Sequence, residues 1–312
     1  TSLLYEMPIA QESGFSKITG NVGELKFWGH EFTLNTKNFV GDFKWDTNFN
    51  ITFSDNKVLS LSGNSDQIVA YTGSVSTITK VGGRIAQFYG PIQLGVYMNQ
   101  EDFDNSPKMV GSEVGTIKFK DINGDGVITL TDVDGDKTEI GNPFPKFVFG
   151  FTNSFSYKNF DLSIVTSGTY GNKVWANEEG LTNLDGVFNV LKDIKDRWRS
   201  PENPGSGKYG KSTSFTERDR SNHSRSVYDG SHLTINNVTL GYNFPCTKIK
   251  GISNVRIYGS IQNLYTFTKY PYGNPEAGVD NNGNSPSALI QGIDFSTYPI
   301  PRTFSLGVSL SL

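Results

Sequence analysis

Three stretches of the chain alternate strictly between apolar and polar residues, and this period of two constrains the fold more than any other feature. In residues 43 to 53, Phe43, Trp45, Phe49, Ile51 and Phe53 share one parity, and Lys44, Asp46, Asn48, Asn50 and Thr52 share the other. Successive side chains of a strand point to opposite faces, so this pattern predicts a strand with one apolar face. Residues 147 to 157 repeat it, with Phe147, Phe149, Phe151, Phe155 and Tyr157 set against Val148, Gly150, Thr152, Ser154 and Ser156. At the end of the chain, Phe304, Leu306, Val308, Leu310 and Leu312 alternate with Ser305, Gly307, Ser309 and Ser311. A soluble sandwich leaves its polar face rich in Lys, Glu and Thr. Here the polar parity is small or amide-like, which suits a packed or water-filled lumen behind an aromatic face turned to lipid.

Composition agrees with that reading without forcing it. No run of about 18 apolar residues occurs, so a transmembrane helix is excluded. A barrel strand needs only about ten alternating residues, and the mean hydropathy of -0.38 fits this as well as it fits a soluble domain. The 28 Lys and Arg nearly balance the 31 Asp and Glu, so no basic field exists to recruit nucleic acid or an anionic membrane surface. Cys246 is the sole cysteine, which excludes an internal disulfide and a Cys-based zinc site; it reads as an incidental turn residue. Leu3-Leu4-Tyr5 opens the chain with no basic region before it, so no signal peptide is expected and the chain reads as truncated at its front.

Connector lengths then organise the strands. Strands are expected at about 24–36, 39–53, 66–80, 84–98, 146–157, 160–170, 230–244, 254–268 and 301–312. The short links are Lys37-Asn38, Val81-Gly82-Gly83, Lys158-Asn159 and Pro245 to Ser253. They alternate with long ones, Ser54 to Ser65, Asn99 to Pro145, Gly171 to Asp229 and Lys269 to Pro301. An up-and-down antiparallel barrel with tight turns at one end and long loops at the other produces this alternation. Bacterial barrels place the short turns in the periplasm, so the loops are expected outside and the C-terminus inside. One loop carries helical spacing: Val187, Val190, Leu191, Ile194 and Trp198 fall opposite Lys192, Asp193, Lys195 and Asp196, a helix expected to pack its loop down.

Several segments together carry a family resemblance. They are Gly141-Asn142-Pro143-Phe144-Pro145-Lys146-Phe147, Ser156 to Leu162, Asp229-Gly230-Ser231 leading into Asn237 to Tyr242, Gln262 to Thr268, and Tyr298 to Phe304. With Arg197-Trp198-Arg199-Ser200-Pro201-Glu202-Asn203-Pro204, they occur in the order found in the SusC/RagA family of TonB-dependent outer-membrane transporters, which the chain resembles over nearly its whole length. The resemblance implies an all-β transmembrane barrel of about 22 strands, of which residues 1–312 would be the C-terminal portion, about the last ten, without the N-terminal plug and early strands. It implies active import of an oligosaccharide, glycan or peptide across the outer membrane of a Bacteroidota-type cell. A SusD-like surface lipoprotein would lid the barrel, TonB would act through the region absent here, and no covalent chemistry would occur on the substrate. Leu312 departs from the aromatic residue on which barrel proteins often end.

One segment has the spacing of a metal site. Residues 121–132 fit the twelve-residue, EF-hand-like calcium loop within one of the long, extracellular loops. Asp121, Asn123, Asp125, the Val127 carbonyl, Thr129 and Asp132 would be the oxygen ligands, and Gly126 would permit the sharp turn. Position twelve is Asp rather than the bidentate Glu, and no helix flanks the loop, so Ca²⁺ is expected in a structural role, with Mg²⁺ less favoured. The same Asn-Gly and Asp-Gly dipeptides also form turns without metal.

Other constellations carry less. His30, His223 and His232 stand apart, without metal or triad spacing, and read as structural residues of the surface or lumen. Glu101-Asp102 and Glu178-Glu179 read as solvated loop carboxylates, so no enzyme chemistry is expected. Tyr209, Phe215, Tyr228, Tyr270, Tyr272 and Tyr298 either stack on sugars or peptides or pack the loops onto themselves, the latter being the favoured reading. A rival from another class, a secreted calcium-stabilised adhesion or glycan-binding module, predicts solubility without detergent and an apolar face buried between sheets.

Overall fold

A computed structural model of the chain describes residues 2–8, 17–61, 66–73, 75–177, 189–212, 223–245, 252–276, 288–295 and 297–311. In chain order its strands are β1 (Ser2–Pro8), β2 (Lys17–Val40), β3 (Phe43–Leu61), β4 (Gln67–Thr72), β5 (Val75–Lys80), β6 (Gln87–Gly90) and β7 (Gln93–Val96). A short helix, α1 (Gln100–Asp104), is followed by β8 (Ile117–Phe119), β9 (Thr138–Gly141), β10 (Phe147–Tyr157), β11 (Phe160–Tyr170) and β12 (Lys173–Ala176). The chain closes with β13 (Val227–Asp229), β14 (His232–Pro245), β15 (Asn254–Thr268), β16 (Ile293–Asp294) and β17 (Thr303–Ser311).

Eight strands form one antiparallel sheet in the order β1-β2-β3-β10-β11-β14-β15-β17, an up-and-down arrangement in which every neighbour is the next long strand in the chain. The register carries the alternation across the whole sheet. Trp45 pairs with Phe155, Phe155 with Leu162, Leu162 with Leu240, Leu240 with Gly259 and Gly259 with Leu306, a continuous apolar row. On the opposite face, Asp46, Ser154, Ser163, Thr239, Ser260 and Ser305 form a polar row in the same way. A one-residue slip would exchange the two faces. Aromatic pairs lock the register: the Trp45 ring lies 5.7 Å from Phe155, and Phe53 lies 5.6 Å from Phe147. The β10–β11 hairpin turns on Lys158-Asn159, with Lys158 in the left-handed region at φ 52°. Asn243 donates its backbone N–H to the Asn159 carbonyl at 2.8 Å, tying that turn to β14.

Among the described residues the wall is thus eight strands wide, where about ten were expected. Segments 66–80 and 84–98 do not join it. The first bends back on itself at Gly73 (φ 55°) into β4 and β5, and the second breaks at Pro91, which has no N–H for a ladder, into β6 and β7. With β9 and β8 they build a four-stranded sheet, β4-β5-β6-β9, and a two-stranded one, β7-β8, within a single insertion between β3 and β10. A third small sheet, β13-β12-β16, comes from the later loops. These pieces pack into a cap at the loop end of the wall. Its main core joins Val75, Phe88, Trp175 and Leu289 to Leu25 of β2 and Val58 of β3, so the two longest wall strands run on into the cap. The backbone N–H of Val58 donates to the Gly83 carbonyl at 2.9 Å, and Gly82 donates to the Val58 carbonyl at 3.0 Å.

The expected helix over 187–198 is reduced to a single 3-10 turn, Lys192–Asp196; residues 187–188 lie outside the described residues. Ile194 and Trp198 are buried as the apolar spacing required. Trp198 sits beyond the turn because its backbone N–H donates to the Tyr209 carbonyl and its indole Nε1 to the Met98 carbonyl, both at 3.0 Å. Its ring lies over Gly115, where a Cβ would collide with it. His223 is wholly buried against Phe119, and His232 is buried at the head of β14. Cys246, Phe215 and Glu178-Glu179 lie outside the described residues. Asp102 pairs with Lys118 at 2.6 Å.

A polar cluster interrupts the aromatic face. Asn153 Oδ1 accepts hydrogen bonds from Trp45 Nε1 and Thr47 Oγ1, each at 2.8 Å. Asn38 Nδ2 donates to Thr47 Oγ1 at 2.8 Å and Thr36 Oγ1 donates to Asn38 Oδ1 at 3.0 Å, so the cluster satisfies itself. Replacing Asn153 by Leu strands two donors among phenylalanines. The expected loss is about 1–3 kcal/mol, read as a lowered urea midpoint for unfolding in detergent, with Asn153→Gln less affected.

Candidate functional site

The calcium-type loop connects β8 to β9 and is held from below by its one fully buried apolar residue. Ile128 is buried against Ile117 and Phe119, and its backbone N–H donates to the Lys108 carbonyl at 2.9 Å. Above this anchor the short polar side chains fold the backbone around themselves. Asp121 accepts the N–H groups of Gly124 (2.6 Å) and Gly126 (2.9 Å), one on each oxygen. Asn123 Oδ1 accepts Asp125 N–H at 3.0 Å, and Asp125 Oδ1 accepts Val127 N–H at 2.8 Å. Gly124 and Gly126 take φ values of 78° and 84°, which make the turn sharp. Asn123 and Asp125 also touch directly, Nδ2 to Oδ2 at 3.1 Å.

The remaining residues of the pattern go elsewhere. Asp132 points away to the four-stranded sheet, where its carboxylate accepts from the Tyr71 hydroxyl and pairs with Lys137 Nζ at 2.9 Å. Burial pulls the Asp132 carboxyl upward, but the Tyr71 and Lys137 hydrogen bonds outweigh it and hold the group below its ordinary value. Burial and the same carboxylate push the Tyr71 hydroxyl well up. Lys137 Nζ lies 5.9 Å from the ring centroids of both Tyr71 and Tyr89. Thr129 is bound through its backbone, its N–H donating to Asp136 Oδ2 at 2.7 Å. Among the described residues, no three His, Cys, Asp or Glu side chains are grouped to hold a metal. The mouth formed by Asp121, Asn123 and Asp125 offers oxygens of the kind a hard cation takes. Position twelve contributes nothing to it in this arrangement.

Asp136 closes the loop instead. It is completely buried and accepts Ile122 N–H and Thr129 N–H, each at 2.7 Å, so one carboxylate clamps both arms. It lies four residues beyond the end of the twelve-residue pattern, which is why the spacing did not reach it.

The polar face of the sheet holds a second constellation that spacing alone misses. Arg256 of β15 reaches Asp161 of β11 through two hydrogen bonds of 3.0 and 2.5 Å, and Asn243 adds a third at 2.9 Å. The guanidinium lies 4.9 Å from the Tyr258 ring centroid. Gly241 and Gly307 leave the room: a Cβ at Gly241 would meet Arg256 and Asp161, and one at Gly307 would meet the Tyr258 ring. The pair is 95 residues apart in sequence. Its only local trace is a glycine at two inward positions. Of the loop aromatics, Tyr209 and Tyr270 are buried, Tyr228, Tyr270 and Tyr272 pack edge to face, and Tyr298 is 91% exposed.

Comparison with known proteins places this architecture. No family model matches the chain. Two TonB-dependent receptors of Formosa agariphila are 33% and 35% identical to it, each over 99% of this chain and 31% of the receptor. The TonB-dependent receptor SusC of Bacteroides thetaiotaomicron is 28% identical over 99% of the chain and 28% of its own length. In fold, the chain is similar to one in the structure of the RagAB peptide transporter, with TM-score 0.76, 20% identity, and coverage of 98% of this chain and 31% of that one. A chain of the RagAB peptide importer in its open-open state gives TM-score 0.75 at 21% identity, covering 100% and 31%. The chain spans about a third of the length of the curated relatives it matches. By sequence along nearly its whole length the chain is a relative of TonB-dependent receptors, SusC among them, and its wall has the fold of the chain in the RagAB structures.

Proposed function

We propose that the chain is the C-terminal part of the barrel wall of an outer-membrane importer, and that the complete protein draws a nutrient into the cell at the expense of TonB-coupled energy. The observation that carries this is the continuous aromatic face of the eight-stranded sheet. At its turn end stand Phe39, Phe43, Tyr157, Phe160, Tyr242 and Phe244, and at its loop end Phe32, Phe53, Phe147, Tyr170, Tyr265 and Phe267, nearly all exposed. The eleven residues of β10 between these two belts rise about 25 Å across a membrane at a tilt of about 40°. That matches the apolar band of an outer-membrane barrel. A secreted module would bury this face rather than display it.

On this reading the hydroxyl and amide face lines the lumen, the capped end faces outward, and the chain's last strand ends at the periplasm. The cargo is an oligosaccharide, a glycan or a peptide, the last being what the similar RagAB structures are named for. A SusD-like lipoprotein sits over the cap, and TonB acts on a plug outside this chain. Transport needs no bond made or broken in the cargo, so the chain's side chains bind, line and brace. The calcium-type loop is proposed as a structural site in the cap. Asp121, Asn123, Asp125 and the Val127 carbonyl would hold Ca²⁺, Thr129 would contribute directly or through water, and Asp132 would join them only after leaving Lys137 and Tyr71.

The complete receptor is expected in the outer-membrane fraction, extracted only by detergent and migrating faster on gels before heating than after. Uptake of labelled oligosaccharide or peptide is expected to stop when TonB is deleted; soluble, monodisperse protein without detergent overturns the reading. Calcium titration of the purified receptor is expected to raise its melting temperature, and Asp121→Ala to abolish the rise. Asp136→Asn is expected to destabilise the cap by about 1–3 kcal/mol with or without calcium, seen as faster proteolysis within 117–141.

A further inference from the structure

We propose that His232 and Glu276 form a protonation-dependent latch fastening the segment after β15 to the rim of the sheet. His232 is the first residue of β14 and is only 8% exposed. Its Nδ1 lies 2.9 Å from the Gly230 carbonyl oxygen, and its Nε2 lies 3.4 Å from Glu276 Oε1. A carbonyl and a carboxylate both accept only, so each contact asks for an N–H. Neutral imidazole has one N–H and imidazolium has two. The arrangement is therefore complete only when His232 is protonated.

The surroundings leave this pair in control of its own charge. The register partners of His232 are Thr169 on β11 and Thr268 on β15, which bring no charge. The turn before it brings the Gly230 carbonyl, and the folded-back segment brings Glu276. Lys173 and Lys269 act on the Asp229 carboxylate nearby. Glu276 is aimed by Asn274, whose buried side-chain Oδ1 accepts the Glu276 N–H at 2.9 Å. The hydrogen bond from His232 holds the Glu276 carboxyl below its ordinary value, against the pull of burial.

The same segment carries Tyr270 and Tyr272. Tyr270 is held at the rim by its N–H to Thr268 Oγ1 at 3.1 Å and at the cap by its hydroxyl to Asp294 Oδ2 at 2.6 Å. A latch at Glu276 thus sets how firmly this tyrosine cluster is pressed against the mouth of the wall. Because the imidazolium is the bound form, the latch is closed at low pH and opens as pH rises through the imidazole titration.

Hydrogen exchange of the full-length receptor in detergent tests this, with peptides covering 269–276 followed at pH 6 and pH 8.5 and corrected for intrinsic exchange. Protection of the native segment is expected to fall at least threefold at the higher pH, while His232→Gln shows low protection at both. Glu276→Gln, outside the wall strands, is expected to flatten the response in the same way. A native response no larger than that of either variant, or equal protection at both pH values, overturns the proposal.

Discussion

The backbone ladder of the eight-stranded sheet is the constraint on which the rest depends. In a bilayer no water reaches the strands, so every N–H and C=O must find its partner on a neighbouring strand. Once that pairing is made in one register, the side chains have no choice: all of one parity share one face of the sheet and all of the other share the opposite face. The sequence then needs only to write two alphabets in alternation, and it does so from β3 to β17. The self-contained cluster of Asn153, Thr47, Asn38 and Thr36 obeys the same accounting for side chains, keeping its polar atoms bonded to one another on a face that offers them nothing else.

The two ends of the wall solve different problems. Between β10 and β11 at the turn end a two-residue link suffices, and the backbone N–H and side-chain amide of Asn243 steady it by donating to the Asn159 carbonyl. At the loop end the chain builds a conventional interior, with aliphatic side chains and Trp175 packed away from water, on top of a structure whose own apolar residues face outward. Within that cap, charged groups are used as fasteners. Asp132 binds the loop to the four-stranded sheet, Asp136 binds its two arms together, and Asp102 holds Lys118.

How much was readable in advance follows from how local each signal is. Period-two alternation is a property of ten neighbouring residues, so β3, β10 and β17 stood out, as did the Lys158-Asn159 turn. Segments 66–80 and 84–98 have the composition of strands and are strands, but whether a strand joins the wall or the cap is decided by partners far away. Gly73 and Pro91 are where these segments divide into pairs of short strands. The twelve-residue loop shows the same divide. The turns at Asp121, Asn123 and Asp125 involve contacts over five residues or fewer. The fate of Asp132 hangs on Tyr71, 61 residues away. The Asp161–Arg256 pair was invisible for that reason too. The helix expected at 187–198 is a short turn that buries Ile194, with Trp198 buried beyond it and Val190 exposed, because amphipathic spacing reports which side chains seek burial and not the backbone that buries them.

The sharing of Leu25 and Val58 between wall and cap bears on the order in which the molecule can assemble. β3 must find β10 across an insertion that begins after Leu61 and ends before Phe147, and closing so long a loop in a disordered chain is entropically slow. Much of the cap is that insertion. Once its core condenses around Val58 with Phe144 packed against it, the two strand ends are delivered to the same place, and the distant closure becomes a local one. A lesion in the cap interior should therefore appear first as slow insertion of the barrel, before any change in the finished wall.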